Sequence, residues 1–259
     1  DYSAGPSGSL HYYEEVLTYY KAFHSLNIPV DMISVEDDLS GYAFVVAPLL
    51  YMVKSGYDEK LRAYVKDGGR FLTTFFSGYV DEHDLVTVGG YPGRLRDILG
   101  IWVEEEDALP ENESNSFTYR GTSYPASLLC DLLHTEGAEA LAFYEKDFYA
   151  GMPVLTRNEF GKGCAYYVAS HSNAAFYRTF IGEICKEAGI EPTMETPEAV
   201  EVTERTNENG TFLFFLNHED QSHDIILNHA GADILTDMSY KKGNTLTLPA
   251  KGVAILRVQ

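Results

Sequence analysis

The sequence predicts a doubly wound, mostly parallel α/β sheet over residues 1–192 and a small antiparallel β domain over residues 193–259. Three observations carry this. Short unbroken apolar runs read as strands buried on both faces, helical stripes lie between them, and beyond Pro192 the alternation changes to period two. In chain order, Tyr13, Val16, Leu17, Tyr20 and Phe23 recur at helical spacing after Ser9, which is placed as the N-cap. Residues 30–35 are a candidate strand at or near the sheet edge. The run Tyr42-Ala-Phe-Val-Val-Ala-Pro-Leu-Leu-Tyr51 is a buried strand; the helix over 58–66 shares Leu61, Tyr64 and Val65 on one face and stops at Gly68-Gly69. Residues 70–76 and 164–169 are two more buried strands. The clearest stripe, Phe176, Phe180, Ile181, Ile184, Cys185 and Ala188, is opened by Asn173 and closed by Gly189. A linker with Pro192 and Pro197 spans 191–198. Beyond it come Val200/Val202, Phe212/Phe214/Leu216, Ile225/Leu227, Leu246/Leu248 and Val253/Ile255, with Asn209-Gly210 marking a hairpin. About half of eight βα units and an antiparallel tail exclude a (β/α)₈ barrel within these 259 residues.

Charge narrows the partners. With 19 Lys+Arg against 39 Asp+Glu the formal net charge is −20, which excludes a nucleic-acid or anionic-membrane binder driven by charge. No apolar stretch approaches the ~18 residues of a membrane span. Cys130, Cys164 and Cys185 are odd in number and lack CxxC spacing, so neither a disulfide framework nor a zinc site is expected and a cytoplasmic setting fits. The chain starts at Asp1 without a visible signal peptide, which reads as a piece of something longer.

Several groups invite a chemical reading and each has a simpler one. Residues 77–84, Ser77-Gly-Tyr-Val-Asp-Glu-His-Asp84, hold a Ser, a His and three carboxylates, but no GxSxG elbow surrounds Ser77, and docking to another domain or subunit is the better reading. His171 lies between a strand and a helix, as the histidine of class I glutamine amidotransferase-like folds does, yet no cysteine sits on an elbow. A loop histidine satisfied by water is expected. His218, His223 and His229 with Glu219, Asp220 and Asp224 have turn spacing rather than ligand spacing, and Glu104-Glu-Glu-Asp107 reads as a solvated face or loop. Gly161-Lys-Gly163 leads into a strand and is a turn, not a phosphate loop. No catalytic, cofactor-binding or metal-ligating residue is assigned, and no cofactor is expected.

The order and spacing of other segments resemble the non-catalytic C-terminal part of glycoside hydrolase family 42, the β-galactosidases. They are Ala4-Gly-Pro-Ser7, Asn27-Ile-Pro-Val-Asp31, Val45-Val-Ala-Pro-Leu-Leu-Tyr51, Tyr64-Val-Lys-Asp-Gly-Gly69, Tyr91-Pro-Gly-Arg-Leu-Arg-Asp97, Gly151-Met-Pro-Val-Leu-Thr-Arg-Asn158, Phe214-Phe-Leu-Asn-His218 and Pro249-Ala-Lys-Gly-Val253. The resemblance implies a flavodoxin-like or class I glutamine amidotransferase-like trimerisation domain, a small C-terminal antiparallel β-sandwich domain, and a homotrimer. It also implies a catalytic TIM barrel elsewhere in the parent chain, whose two glutamates hydrolyse terminal β-galactosides with retention. Expected contact elements are residues 12–23, 77–84 and 91–96. The rival readings are an amidotransferase-like enzyme using His171 and a carbohydrate-binding tail; Phe212, Phe214 and Phe215 read as mainly core, and the single tryptophan, Trp102, lies outside that tail.

Overall fold

The computed structural model describes residues 8–258, which form two compact units: one takes the chain through Tyr19 together with Ile33–Thr179, the other Tyr20–Met32 and Phe180–Gln259. The Ala4–Ser7 motif lies outside the described residues.

Helix α1 (Tyr12–Ser25) opens with the Glu15 N–H on the His11 carbonyl, while the Ser9 hydroxyl donates to Glu111; the cap expected at Ser9 is therefore displaced. Strand β1 (Phe44–Ala47), helix α2 (Tyr57–Lys66) and strand β2 (Arg70–Thr74) follow. Then come a short helix α3 (Arg96–Leu99), β3 (Ile101–Ala108), β4 (Asn115–Tyr119), β5 (Thr122–Thr135), β6 (Glu139–Phe143), β7 (Pro153–Phe160), β8 (Gly163–Val168), β9 (Ser170–His171) and helix α4 (Ala174–Glu187). Asn173 caps α4 as expected, its side chain accepting the Phe176 N–H at 3.0 Å.

The main sheet runs β1-β2-β8-β7-β6. Strands β1, β2 and β8 are parallel, but β7 is antiparallel to β8 and β6 to β7, so the sheet is mixed rather than mostly parallel. The reason is the turn at Gly161-Lys162: two residues can close a hairpin but cannot make the dozen-residue crossover that parallel neighbours need. Central β2 is buried on both faces, Phe71, Leu72, Thr73 and Thr74 being inaccessible, as its unbroken run implied. A second, antiparallel sheet has the order β3-β5-β4 with β9 on β5. The acidic stretch at 104–107 thus belongs to strand β3 and not to a loop. Residues 30–35 form no strand: Pro29 carries no N–H, and Asp31, Met32 and Ser34 are exposed.

The second unit contains β10 (Val200–Asn207), β11 (Gly210–Asn217), β12 (His223–Ile226), β13 (Gly231–Asp233), β14 (Ser239–Tyr240), β15 (Thr245–Leu248) and β16 (Val253–Val258). One antiparallel sheet is ordered β10-β11-β16-β13-β14, and β12 pairs with β15 in another. The expected hairpin is present with Glu208-Asn209 as its turn, Asn207 facing Gly210. The phase of two strands differs from expectation. Leu213 and Phe215 fill the core of β11, and Ala254 and Leu256 that of β16, while Phe212, Phe214 and Ile255 are half-buried on the other face. Both faces of these strands are apolar, so alternation alone does not select the inward one. Asn27 ties this unit together, donating to the Met194 carbonyl and Thr196 hydroxyl and accepting the Val202 N–H.

Candidate contact surface

The richest local construction lies where β2 leaves the main sheet. Phe75 still bonds to Val168, its N–H 2.8 Å from that carbonyl, and Phe76 then turns the chain with a φ of 58°, a conformation that bulky residues rarely adopt. The Phe76 N–H acts on the buried Asp131 carboxyl, working against the burial that raises its pKa. Ser77 is inaccessible and its hydroxyl is fully occupied, accepting the Leu50 N–H at 2.9 Å and pairing with Thr73 at 2.8 Å. It is a structural pin and not a nucleophile. Gly78 has a φ of +74° and abuts the Pro92 carbonyl so closely that no Cβ fits.

Downstream, the segment is held at nearly every turn. The Asp81 carboxylate accepts the N–H groups of His83 and Leu85, which lowers its pKa, and its own N–H donates to Leu85 at 3.0 Å. Glu82 accepts the Ser55 N–H, and the Tyr51 hydroxyl reaches Asp84. Tyr51, Phe76, Tyr79 and Tyr91 stack beneath, the last two rings 3.8 Å apart. At the far end Arg96 donates to the Gly89 carbonyl at 3.0 Å, pairs with Glu136 and lies over Trp102, whose indole nitrogen takes the space a side chain at Gly90 would need.

This framework presents apolar side chains to solvent. Leu85 and Val86 are each 62% exposed and Val88 is 97% exposed. Such a ledge on a chain of charge −20 marks an interaction surface, because single scattered apolar residues are normal but a braced, contiguous group is not. Of the expected contact elements, residues 77–80 prove buried and the exposed apolar part begins just beyond residue 84. In α1, Tyr12 and Tyr13 are exposed at 58% and 62%, whereas Tyr19 is buried. In residues 91–96, Tyr91 and Arg96 are half-covered and Arg94 reaches Asp58 at 3.9 Å.

His171 is not a water-satisfied loop residue. It sits on β9 with Nδ1 2.7 Å from the nearly inaccessible Glu15, whose other oxygen accepts from Tyr177. Burial disfavours its charge, but the hydrogen bond and charge of Glu15 outweigh burial and raise its pKa. The three cysteines are buried free thiols, and burial raises the pKa of Cys130.

In the second unit His218 and His24 both reach Glu201, at 2.9 and 3.2 Å, and His223 reaches Glu219 at 2.9 Å. The first two share one carboxylate and the third is a separate pair, and among the described residues no group of three or more His, Cys, Asp or Glu side chains is arranged to hold a metal ion. Beyond residue 199 the exposed large apolar residues are Ile226, Ile234, Leu235, Met238 and Val253, and among the described residues of that tail no Phe or Tyr side chain is exposed. Sequence reading missed Glu106, Asp131 and the ledge itself; the only available signal was Leu85-Val-Thr-Val88 directly after an acidic turn.

Comparison with known proteins agrees with a contact role. Residues 1–191 match the model of the β-galactosidase trimerisation domain, and residues 199–258 that of the β-galactosidase C-terminal domain. The chain is 52% identical over 260 residues to β-galactosidase BgaP of a Planococcus species and 41% identical over 258 residues to β-galactosidase Pbg of Clostridium perfringens. These alignments cover 98% and 95% of this chain but 38% and 37% of the relatives. A crystal structure of β-galactosidase from Bacillus circulans sp. alkalophilus superposes with a TM-score of 0.94 at 46% identity, over 99% of this chain and 39% of that one.

Proposed function

Because this chain belongs to glycoside hydrolase family 42, as its β-galactosidase trimerisation domain followed by its β-galactosidase C-terminal domain, we propose that it is the self-associating, non-catalytic region of a β-galactosidase and forms a homotrimer. The chain spans about 38% of the length of the curated relatives it matches. On this reading the acid/base and nucleophile glutamates belong to a TIM barrel in the remaining length, where two carboxyls about 5–5.5 Å apart would give retention. The family modules are taken as residues 1–192, a flavodoxin-like sheet extended by a hairpin, and 193–259. A cytoplasmic setting suits three free thiols. Among the described residues no helix is long and apolar enough to cross a membrane.

The braced ledge carries the reading. Three copies at −20 each repel, so the surface that joins them must be locally free of acid and rich in apolar area. Residues 85–90, Leu-Val-Thr-Val-Gly-Gly, contain no charged group, and the exposed Tyr12 adds an aromatic ring on the same unit. Bracing also lowers the ordering cost of association. Light scattering on the eluting chain should give three times 28.9 kDa, and an aryl β-galactoside should not be hydrolysed. A monomer at tens of micromolar contradicts self-association by this region, and turnover contradicts its non-catalytic role.

A further inference from the structure

We propose that Glu106 and Asp131 form a proton-linked latch on the loop that carries the ledge, holding it firmly when the pair is protonated and loosening it when Glu106 ionises. The consequence for assembly rests on the self-association reading above.

The geometry is that of a cross-strand pair. Glu106 on β3 directly faces Asp131 on β5, a register that sets such side chains about 4.5–5.5 Å apart at Cβ. Asp131 is inaccessible; it accepts the Tyr167 hydroxyl at 2.5 Å, and the N–H of Phe76, the residue that starts the loop, acts on its carboxyl. The other end of the loop is fixed to the same strand pair, because the Val103 N–H on β3 donates to the Tyr91 carbonyl at 2.9 Å. Residues 76–91 are therefore bonded to β3 at Tyr91 and lie against Asp131 of β5 at Phe76.

Nothing cationic balances them. The ionisable groups facing the pair are Tyr167 from β8 and Tyr144 beyond β6, whose hydroxyl donates to the Asp131 and Ala169 carbonyls and which adjoins Cys130. Asp107, next on β3, is held by Tyr149. Among the described residues no Lys, Arg or His acts on either carboxyl. One oxygen of each, Glu106 Oε1 and Asp131 Oδ1, is buried without a hydrogen-bond partner. A carboxylate in such a place is costly and a neutral acid much less so.

Burial pushes Glu106 up to about 7, and burial followed by the charge of Glu106 raises Asp131 well above the carboxylate range. The folded pKa of Glu106 thus exceeds its ordinary 4.5. Its protonated form favours the folded state, and the benefit is lost as pH rises from about 4.5 through about 7 and stays lost above that.

The test follows amide hydrogen exchange of residues 76–91, corrected for intrinsic rates, from about pH 5.5 to about pH 8.5, a range centred on neutral carboxyl titration. Wild type, Glu106→Gln and Glu105→Gln are compared, the last removing an exposed charge from the same strand. Wild type and Glu105→Gln should lose protection about tenfold across the range, while Glu106→Gln stays within about twofold. Equal loss in Glu106→Gln overturns the latch. Sedimentation of the same samples separates the two ideas. If exchange behaves as stated but all three chains are monomeric throughout, the latch stands and the self-association reading falls; if association weakens with pH equally in Glu106→Gln, its link to assembly is overturned.

Discussion

The two units bury polar groups to different extents. In the unit with the parallel strands, Glu15, Thr73, Thr74, Ser77, Asp131 and Ser170 are all inaccessible or nearly so, and most of them bond to loop backbone or to one another. The C-terminal unit packs an apolar cluster that includes Val202, Leu213, Phe215, Leu246, Leu248 and Leu256, and beside it buries fewer polar side chains, Asn27, Asn217 and Asp233, each bonded to backbone. An apolar core can be repacked with little loss of fold, whereas a buried polar network tolerates few arrangements and so specifies the shape of the loops it holds. The unit with the costlier interior is the one that builds a braced loop with Leu85, Val86 and Val88 outward. That contrast supports the contact role proposed for the first unit.

Substitutions sharpen or break the contrast. Phe215→Ala, in the apolar core, should cost about 3–5 kcal/mol in denaturant unfolding, through lost burial and the cavity left behind. Ser77→Ala should cost about 1 kcal/mol, because the half-buried Leu50 N–H loses its acceptor, and should also speed exchange in residues 76–91. If only global stability changes, Ser77 does not position the loop. A smaller effect is expected at His171. Its pKa is raised in the folded state, so its stabilising contribution is full below the ordinary value of 6.5 and disappears as pH rises through the folded pKa. His171→Gln should flatten that part of the melting-temperature profile; an unchanged profile means the Glu15 pair is not linked to folding. Val88→Asp should leave stability within about 0.5 kcal/mol, since the side chain touches almost nothing in the single chain, and yet weaken self-association more than tenfold.

How far the sequence could be read follows the same division. The run through Phe71 and Leu72 announced a buried strand because the physics of a central parallel strand leaves no polar side, and Asn173 announced the start of α4 because its side chain caps it. Strand β3 was illegible, since Glu104 and Glu105 face solvent while Glu106 does not, and charge in a row looks like a loop. In β11 the presence of a strand was clear but Phe214 and Phe215 could not be ranked, because both faces are apolar. The ledge was nearly invisible: Leu85, Val86 and Val88 look like any short strand until the hydrogen bonds of Asp81 and Arg96 show them turned outward. Period and composition report what a side chain is; only the tertiary bonds report which way it faces.

Sedimentation equilibrium of the wild-type chain beside Val88→Asp tests the central claim most directly. The account predicts a trimer for the wild type at micromolar concentration and a shift toward folded monomer for the variant, with both melting alike. A wild-type monomer, or a trimer that the variant leaves intact, would contradict it.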